Sequence, residues 1–299
     1  MKEYIELFNR LPNLIILEDE PLARYTGFRT GGPSTVLIPT EESSFVEAYR
    51  TIINNHIPFF VLGNGSNVLA LDEGFYGVVL VTKRALNHIS VDETTITSGA
   101  GISLSELCRV ALNHDLTGLE FAYGIPGTIG GAVYMNAGAY GSEICNVLNK
   151  VVYLDENGNY REKTLSELDL SYRHSIFQAQ KNWIILSASF SLEKGDHDTI
   201  LGKMNELLNR RIEKQPLDYP SCGSTFKRPV GSYASKLIDE CGLKGFSIGG
   251  AAVSEKHAGF VINKNKATTN DILELCHYVQ HTVKDATGFD LELEIEFLK

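Results

Sequence analysis

Glycines at 124, 127, 130, 131, 138 and 141 crowd the stretch from Tyr123 to Gly141, which reads Y-G-I-P-G-T-I-G-G-A-V-Y-M-N-A-G-A-Y-G. Without a Cβ the backbone can adopt positive φ, lie close to a ligand and aim successive N–H groups at an anion. The sharp reading is a cradle for a nucleotide or dinucleotide diphosphate. The bland one is a small-residue helix packed on a sheet. Pro126 in a first helical turn and the Thr128 hydroxyl beside it favour the cradle, because exposed N–H groups at a helix start attract phosphate.

A second glycine loop repeats the theme. Pro58-Phe-Phe-Val-Leu62 reads as a buried strand and runs into Gly63, Asn64, Gly65, Ser66 and Asn67; an apolar run followed by a polar glycine loop is a strand-to-ligand pattern. A Rossmann crevice is excluded, since Val68 stands where the third glycine of G-x-G-x-x-G belongs and no long helix pattern follows. A third segment, Arg29-Thr-Gly-Gly-Pro33, leads into the apolar strand Val36-Leu37-Ile38.

Other residues suit acid–base or ionic chemistry. Arg173, between Tyr172 and Phe177, offers the planar fork that binds a carboxylate bidentately, against the plainer reading of a surface ion pair. Ser224 lies in Ser221-Cys-Gly-Ser-Thr-Phe-Lys-Arg228, which has no neighbouring His or acid and no G-x-S-x-G elbow, so hydrolase chemistry is unsupported. Glu292, Glu294 and Glu296 alternate with Leu291, Leu293, Ile295 and Phe297 as the polar face of a strand. Lys214, Lys227, Arg228, Arg210 and Arg211 gather cations around the Ser224 segment. His277 and His281 have the i,i+4 spacing of a metal pair, but position 278 is Tyr and no third ligand suggests itself, so they read as exposed helix residues and no metal is expected.

In order along the chain, R-T-G-G-P, L-G-N-G-S-N and G-I-P-G-T-I-G-G-A-V-Y-M-N-A-G-A-Y-G resemble the UDP-N-acetylenolpyruvoylglucosamine reductases, in their shorter subclass, over nearly the whole chain. The resemblance implies an α+β protein with a two-subdomain FAD-binding domain of the vanillyl-alcohol-oxidase (PCMH) type over residues 1–200. A smaller C-terminal α+β substrate domain follows over residues 201–299. It implies non-covalent FAD held by Gly63, Asn64, Gly65, Ser66, Asn67, Tyr123, Gly124, Ile125, Pro126, Gly127, Thr128, Gly130, Gly131, Ala132, Asn136 and Gly138. NADPH reduces the FAD and leaves, UDP-N-acetylglucosamine enolpyruvate takes its place, and hydride passes from flavin N5 to yield UDP-N-acetylmuramate in peptidoglycan precursor synthesis.

By the same resemblance Arg173 grips the enolpyruvyl carboxylate, Ser224 donates the proton, and Glu294 stabilises the enolate-like intermediate. Ser221, Cys222 and Thr225 are the neighbouring alternatives to Ser224. Leu293 stands where the family carries proline, and S-C-G-S-T-F-K-R replaces the N-A-G-S-F-F-K-N of longer relatives. Lys214, before Gln215-Pro216, together with Lys227 and Arg228, is expected at the substrate diphosphate.

The elements that must position these groups are of mixed type. Helices are expected over residues 1–11 and from a Thr40 cap with Phe45, Ala48, Tyr49 and Ile52 inward. Further helices follow from Ser103 to about His114, from about Asp198 to Lys214 with Met204, Leu207, Leu208 and Ile212 inward, near Tyr233–Cys241, and over about Thr269–Ala286. Strands are expected at Gly77–Thr82, Thr94–Ser98, Trp183–Phe190, Gly259–Asn263 and Leu291–Leu298, with a hairpin turning on Asn157-Gly158.

Bulk properties set the limits. The chain has 299 residues, 43% of them hydrophobic, and a formal net charge of −10, which argues against a general nucleic-acid surface while allowing a basic cleft. Five scattered cysteines without a C-x-x-C pair suit reduced thiols. A charged start and the lack of a long apolar run predict a cytoplasmic protein with no membrane insertion. The enzyme rival is a flavin oxidase with covalent FAD, disfavoured because Pro33 occupies the attachment position of that fold; the non-enzyme rival is a flavin- or UDP-sugar-binding sensor.

Overall fold

The computed structural model describes residues 4–299. The chain folds as two compact units. The first comprises residues up to Leu17 together with Val36–Asn64 and Gly77–Arg210; the second comprises Glu18–Thr35, Gly65–Tyr76 and Arg211–Lys299. The units are drawn differently from a linear split at residue 200. That position lies inside the helix His197–Lys214, and two N-terminal excursions belong with the C-terminal third.

In the first unit a five-stranded antiparallel sheet has the order Tyr160–Thr164, Leu148–Leu154, Ile184–Ser191, Thr95–Gly99, Ile89–Asp92. The hairpin turn at Asn157-Gly158 forms as the dipeptide predicts, with Gly158 at φ +75°. Phe59–Leu62 pairs in parallel with Val78–Val81. The helix Glu42–Asn54 buries Phe45, Ala48, Tyr49 and Ile52 completely. Its cap is Glu41, in a reciprocal box with Ser44, rather than Thr40, whose hydroxyl donates to the Asn13 carbonyl. Ser103 does cap Leu104–Asn113, accepting the Glu106 N–H.

Of the helix expected over residues 1–11, residues 1–3 lie outside those described; the helical turn is Ile5–Phe8, and Leu7 faces solvent while Ile5 and Phe8 are buried. Ile212, expected inward on His197–Lys214, is 49% exposed, whereas Met204 and Leu207 are buried. The last turn of that helix has outrun the core it packs on.

The second unit has its own core. The helix Thr269–Thr287 lays Ile272, Leu275, Cys276, Val279 and Val283 against the helix Ala234–Glu240 and the three-stranded sheet Ser247–Ile248, Ala251–Val253, Val261–Asn263. Val68–Ala70 pairs in parallel with the C-terminal strand Glu296–Leu298. That strand is shorter than the alternating pattern suggests. Glu292 is exposed while Glu294 and Glu296 are half-buried, so the three acids do not form one solvated face.

Asp271 closes the start of the long helix. Its carboxylate accepts the Gly250 and Thr268 N–H groups, each at 3.0 Å, and these bonds, Gly250 first, hold its pKa below the ordinary carboxylate value. A depressed folded pKa adds stability that is present above the unfolded value and is lost as pH falls through the folded one. Asp271→Ala is therefore expected to cost about 1 kcal/mol near neutral pH, the usual worth of a helix cap. Urea midpoints of the two proteins should converge in acid; a gap that persists or widens there would contradict the assignment.

Candidate functional site

The two glycine-rich segments divide the labour differently from the sequence reading. In the Tyr123–Gly131 run most N–H groups are already engaged by protein. Ile129 N–H donates to Ile102 O and Gly130 N–H to Ala100 O, both at 2.9 Å, while Leu104 N–H meets Gly127 O at 3.0 Å. Tyr123, Ile125 and Gly127 donate within their own turns. The run therefore lies antiparallel against residues 100–104. Gly130 is needed for that approach, since a Cβ there would sit 3.0 Å from the Ala100 Cβ. The helix after it, Ile129–Tyr134, spans six residues and has Thr128 at its cap without a side-chain cap bond. Pro126 precedes that helix instead of opening it.

The amides that do stand ready are in the other loop. Among the described residues, the N–H groups of Gly63 and Asn64 in the first unit reach no acceptor. Nor do those of Gly65, Ser66 and Asn67 in the second. Consecutive unsatisfied amides form an anion-binding concavity, which in the first unit is the pair Gly63–Asn64 and in the second the run Gly65–Asn67. Close packing shapes the loop: a Cβ on Gly63 would fall 2.2 Å from the Thr128 hydroxyl, and Gly65 has φ +62° with its would-be Cβ 1.8 Å from the Tyr25 carbonyl oxygen. The Asn64 side chain bridges segments of the first unit, donating to Pro126 O at 2.7 Å and accepting from Lys83 Nζ at 3.0 Å.

Gly131 is exposed within its helix, and a Cβ there would find its nearest neighbour, the Thr128 hydroxyl, at 3.7 Å. Protein packing gives no reason for glycine there, although glycine costs a helix about 0.5–1 kcal/mol relative to alanine. An external group coming close to this helix face would supply one. Gly131→Ala should then raise the stability of the ligand-free protein by roughly 0.5–1 kcal/mol yet weaken binding of a dinucleotide by about tenfold, the scale of one charge-assisted hydrogen bond. Thermal melts and a dinucleotide titration read the two quantities separately, and a variant that gains stability with unchanged affinity would discard this account. These loop amides and open glycines fit a dinucleotide diphosphate.

Arg173 belongs to the first unit and is held in an uncommon backbone state, with φ +55°. Its guanidinium donates to Gly138 O at 3.2 Å and lies 5.0 Å from the Tyr172 ring centroid; its own carbonyl accepts from Gln178. Asn136, fully buried, donates to Ser171 O and accepts from the Cys145 N–H. In the first instance, then, Asn136 and Gly138 brace the arginine segment. His174 meets Asp169 at 3.1 Å near the surface. Ala132 is buried against the first unit's core, and Tyr123 and Ile125 are partly buried against it.

In the second unit the structure brings Ser224 and Glu294 into neighbouring register. Glu294 N–H donates to Thr225 O at 2.9 Å, Phe226 bridges Leu293, and Lys227 N–H donates to Glu292 O. Asn67 clips the same strand, giving its side-chain N–H to Glu294 O and accepting the Glu296 N–H, both at 2.9 Å. These last contacts join residues more than two hundred positions apart, so no local signal announces them.

The alternatives to Ser224 have other duties. Thr225 is fully buried and its hydroxyl accepts the Val261 N–H. Cys222 is 3% exposed, donates to Val68 O, and burial pushes its thiol pKa up to about 12. Gly223, at φ +74° with open space where a Cβ would stand, turns the chain so that Ser224 is half-buried.

Of the cations expected at the substrate, Lys227 pairs with Glu292 at 3.4 Å, Arg228 lies over the Tyr233 ring at 4.6 Å, and Lys214 is exposed at a helix end. A group that sequence reading missed lines an open cavity of about 330 Å³ in the same unit: Lys236, Lys244, Lys256, His257 and Tyr233. Burial lowers the His257 pKa, and its Nδ1 accepts the Gly259 N–H. Scattered single lysines carry no periodic signal, which is why only the fold reveals the cluster. His277 and His281 are exposed on their helix, the latter 3.0 Å from Asp285.

Comparison with known proteins gives consistent matches along the chain. Residues 33–163 match the FAD binding domain family, and residues 215–298 match the family of the UDP-N-acetylenolpyruvoylglucosamine reductase C-terminal domain. The UDP-N-acetylenolpyruvoylglucosamine reductase of Caldanaerobacter subterraneus subsp. tengcongensis is 52% identical over 281 residues, covering 94% of this chain and 92% of that one. The protein of the same name from Clostridium perfringens strain SM101 is 46% identical over 301 residues, covering 99% and 98%. The crystal structure of the Thermus caldophilus reductase superposes with a TM-score of 0.81 at 32% identity, over 96% of this chain and all of that one.

Proposed function

The chain belongs to the UDP-N-acetylenolpyruvoylglucosamine reductase family, and from that premise we propose that it reduces UDP-N-acetylglucosamine enolpyruvate to UDP-N-acetylmuramate, with FAD as cofactor and NADPH as reductant, in cytoplasmic peptidoglycan precursor synthesis. Its fold is the expected α+β class, an FAD-binding domain of the vanillyl-alcohol-oxidase type followed by a C-terminal domain. The observation that carries the reading is the union of Asn67, the Ser224 loop and the Glu294 strand in one unit.

In the first unit the amides of Gly63 and Asn64 and the exposed face at Gly131 would contribute to holding FAD, part of the larger set that the resemblance implies. A flavin held there would supply the hydride chemistry, accepting hydride from NADPH and passing it to the β-carbon of the substrate's enol ether. Arg173 binds the substrate carboxylate, which gains electron density as that carbon is reduced. Ser224 Oγ–H gives its proton to the α-carbon, the site of enolate character, and recovers one from solvent; a hydroxyl is a weak acid, so placement rather than pKa selects it. Glu294, as a protonated carboxyl, would donate a hydrogen bond to the same developing charge from the strand beside the serine.

Lys236, Lys244 and Lys256 line one cavity with Asp239, and although Lys244 pairs with that carboxylate and Lys236 with Glu240, the excess of cations there offers an acidic protein a place for a nucleotide-sugar diphosphate. On this reading the second unit, which holds the Ser224 loop and the lysine-lined cavity, carries the substrate-binding groups.

An anaerobic visible spectrum tests the reading. The flavin band should bleach on NADPH addition and return when UDP-N-acetylglucosamine enolpyruvate is added. Reoxidation by oxygen alone would point to an oxidase, and a protein that binds flavin yet turns over neither compound would point to a sensor.

A further inference from the structure

We infer that Lys83 is the cationic partner of the FAD diphosphate, an inference that rests on the FAD reading above and assigns a charge to its anion site. The loop amides at Gly63 and Asn64 supply dipoles, but an exposed anion is held far better with a full positive charge beside them. Lys83 is placed to provide it. Its Nζ donates to Asn64 Oδ1 at 3.0 Å, and Asn64 is fixed at its other end by Pro126 O at 2.7 Å. An ammonium has three donors, so the bond to Asn64 aims the group and leaves two protons for an anion.

The base of the side chain is held as firmly as its tip. Leu86 N–H closes the turn onto Thr82 O at 3.0 Å, and Gly101 N–H meets Leu86 O at 2.8 Å. A Cβ on Gly101 would lie 2.9 Å from the Lys83 Cα, so that backbone packs directly under the lysine. No carboxylate pairs with Lys83 among the described residues, and the side chain is exposed. An uncompensated lysine anchored at both ends, beside amides awaiting an acceptor, matches a phosphate in charge and in place. Arg84, its neighbour in sequence, makes no such bond to the loop.

The test uses the flavin-loaded protein. FAD release after dilution is followed by recovery of flavin fluorescence at low and high salt, for wild type, Lys83→Met and Lys83→Arg, with riboflavin binding as the phosphate-free control. Lys83→Met should release FAD about tenfold faster at low salt and lose most of the salt dependence that wild type shows. Lys83→Arg should stay near wild type, and riboflavin should bind all three alike. FAD release from Lys83→Met at the wild-type rate, or an equal loss for riboflavin, overturns the role of Lys83 alone. A wild-type protein that neither carries nor binds flavin overturns the FAD reading and this inference with it.

Discussion

Ser224→Ala is expected to slow the second half-reaction, hydride and proton delivery to the enolpyruvyl sugar, by about 10²–10⁴-fold, the usual worth of a positioned proton donor. Reduction of the flavin by NADPH should be unchanged, because no substrate carbon is protonated in that step. The contrast between half-reactions is the useful readout, since a misfolded site would impair both. The fold makes the choice of residue testable. Thr225 is fully buried, its hydroxyl accepting the Val261 N–H, and Cys222 is buried with its proton on Val68 O, so neither reaches a substrate without a rearrangement that Ser224 does not need. Ser224→Cys should retain part of the rate, as a thiol at the same place is a stronger acid. Stopped-flow traces in which both half-reactions fall equally would remove Ser224 from the proton-donor role and return Ser221 to consideration.

Arg173→Lys should lower kcat/KM for the enolpyruvyl substrate by about 10–100-fold, the scale of charged hydrogen bonds lost when a planar fork becomes a point charge. Positive charge remains, so the loss measures geometry. The residue is unusually well prepared for that measurement: its φ of +55°, its bond to Gly138 O and its position over Tyr172 hold the guanidinium in one place. A left-handed backbone at a non-glycine residue persists only where its surroundings enforce it, and here Asn136 ties the preceding segment through Ser171. A substrate whose carboxylate is replaced by an amide should be reduced at similar rates by both proteins. If the Arg173→Lys protein instead discriminates against the amide as strongly as the wild type does, the carboxylate is bound elsewhere.

The sequence by itself determined the elements whose signals are local. The Asn157-Gly158 turn, the buried face Phe45, Ala48, Tyr49 and Ile52, and the helix Thr269–Thr287 follow from turn chemistry and a 3.6-residue period. The order of the glycine motifs was enough to mark the family resemblance, and with it the expected roles of Arg173, Ser224 and Glu294.

Only the tertiary structure decided which amides await an anion. Glycine content looked the same in both segments, but the Tyr123–Gly131 run spends most of its N–H groups on residues 100–104 and on its own turns, while Gly63–Asn67 does not. Hydrogen-bond partners across the chain are not encoded in composition. The same holds for the strand at Glu294, where alternation predicted a solvated acidic face. Pairing of Val68–Ala70 with Glu296–Leu298 and the clip from Asn67 draw Glu294 and Glu296 half into the protein. Period-two patterning states which faces a strand has; what covers each face is settled by a partner more than two hundred residues away.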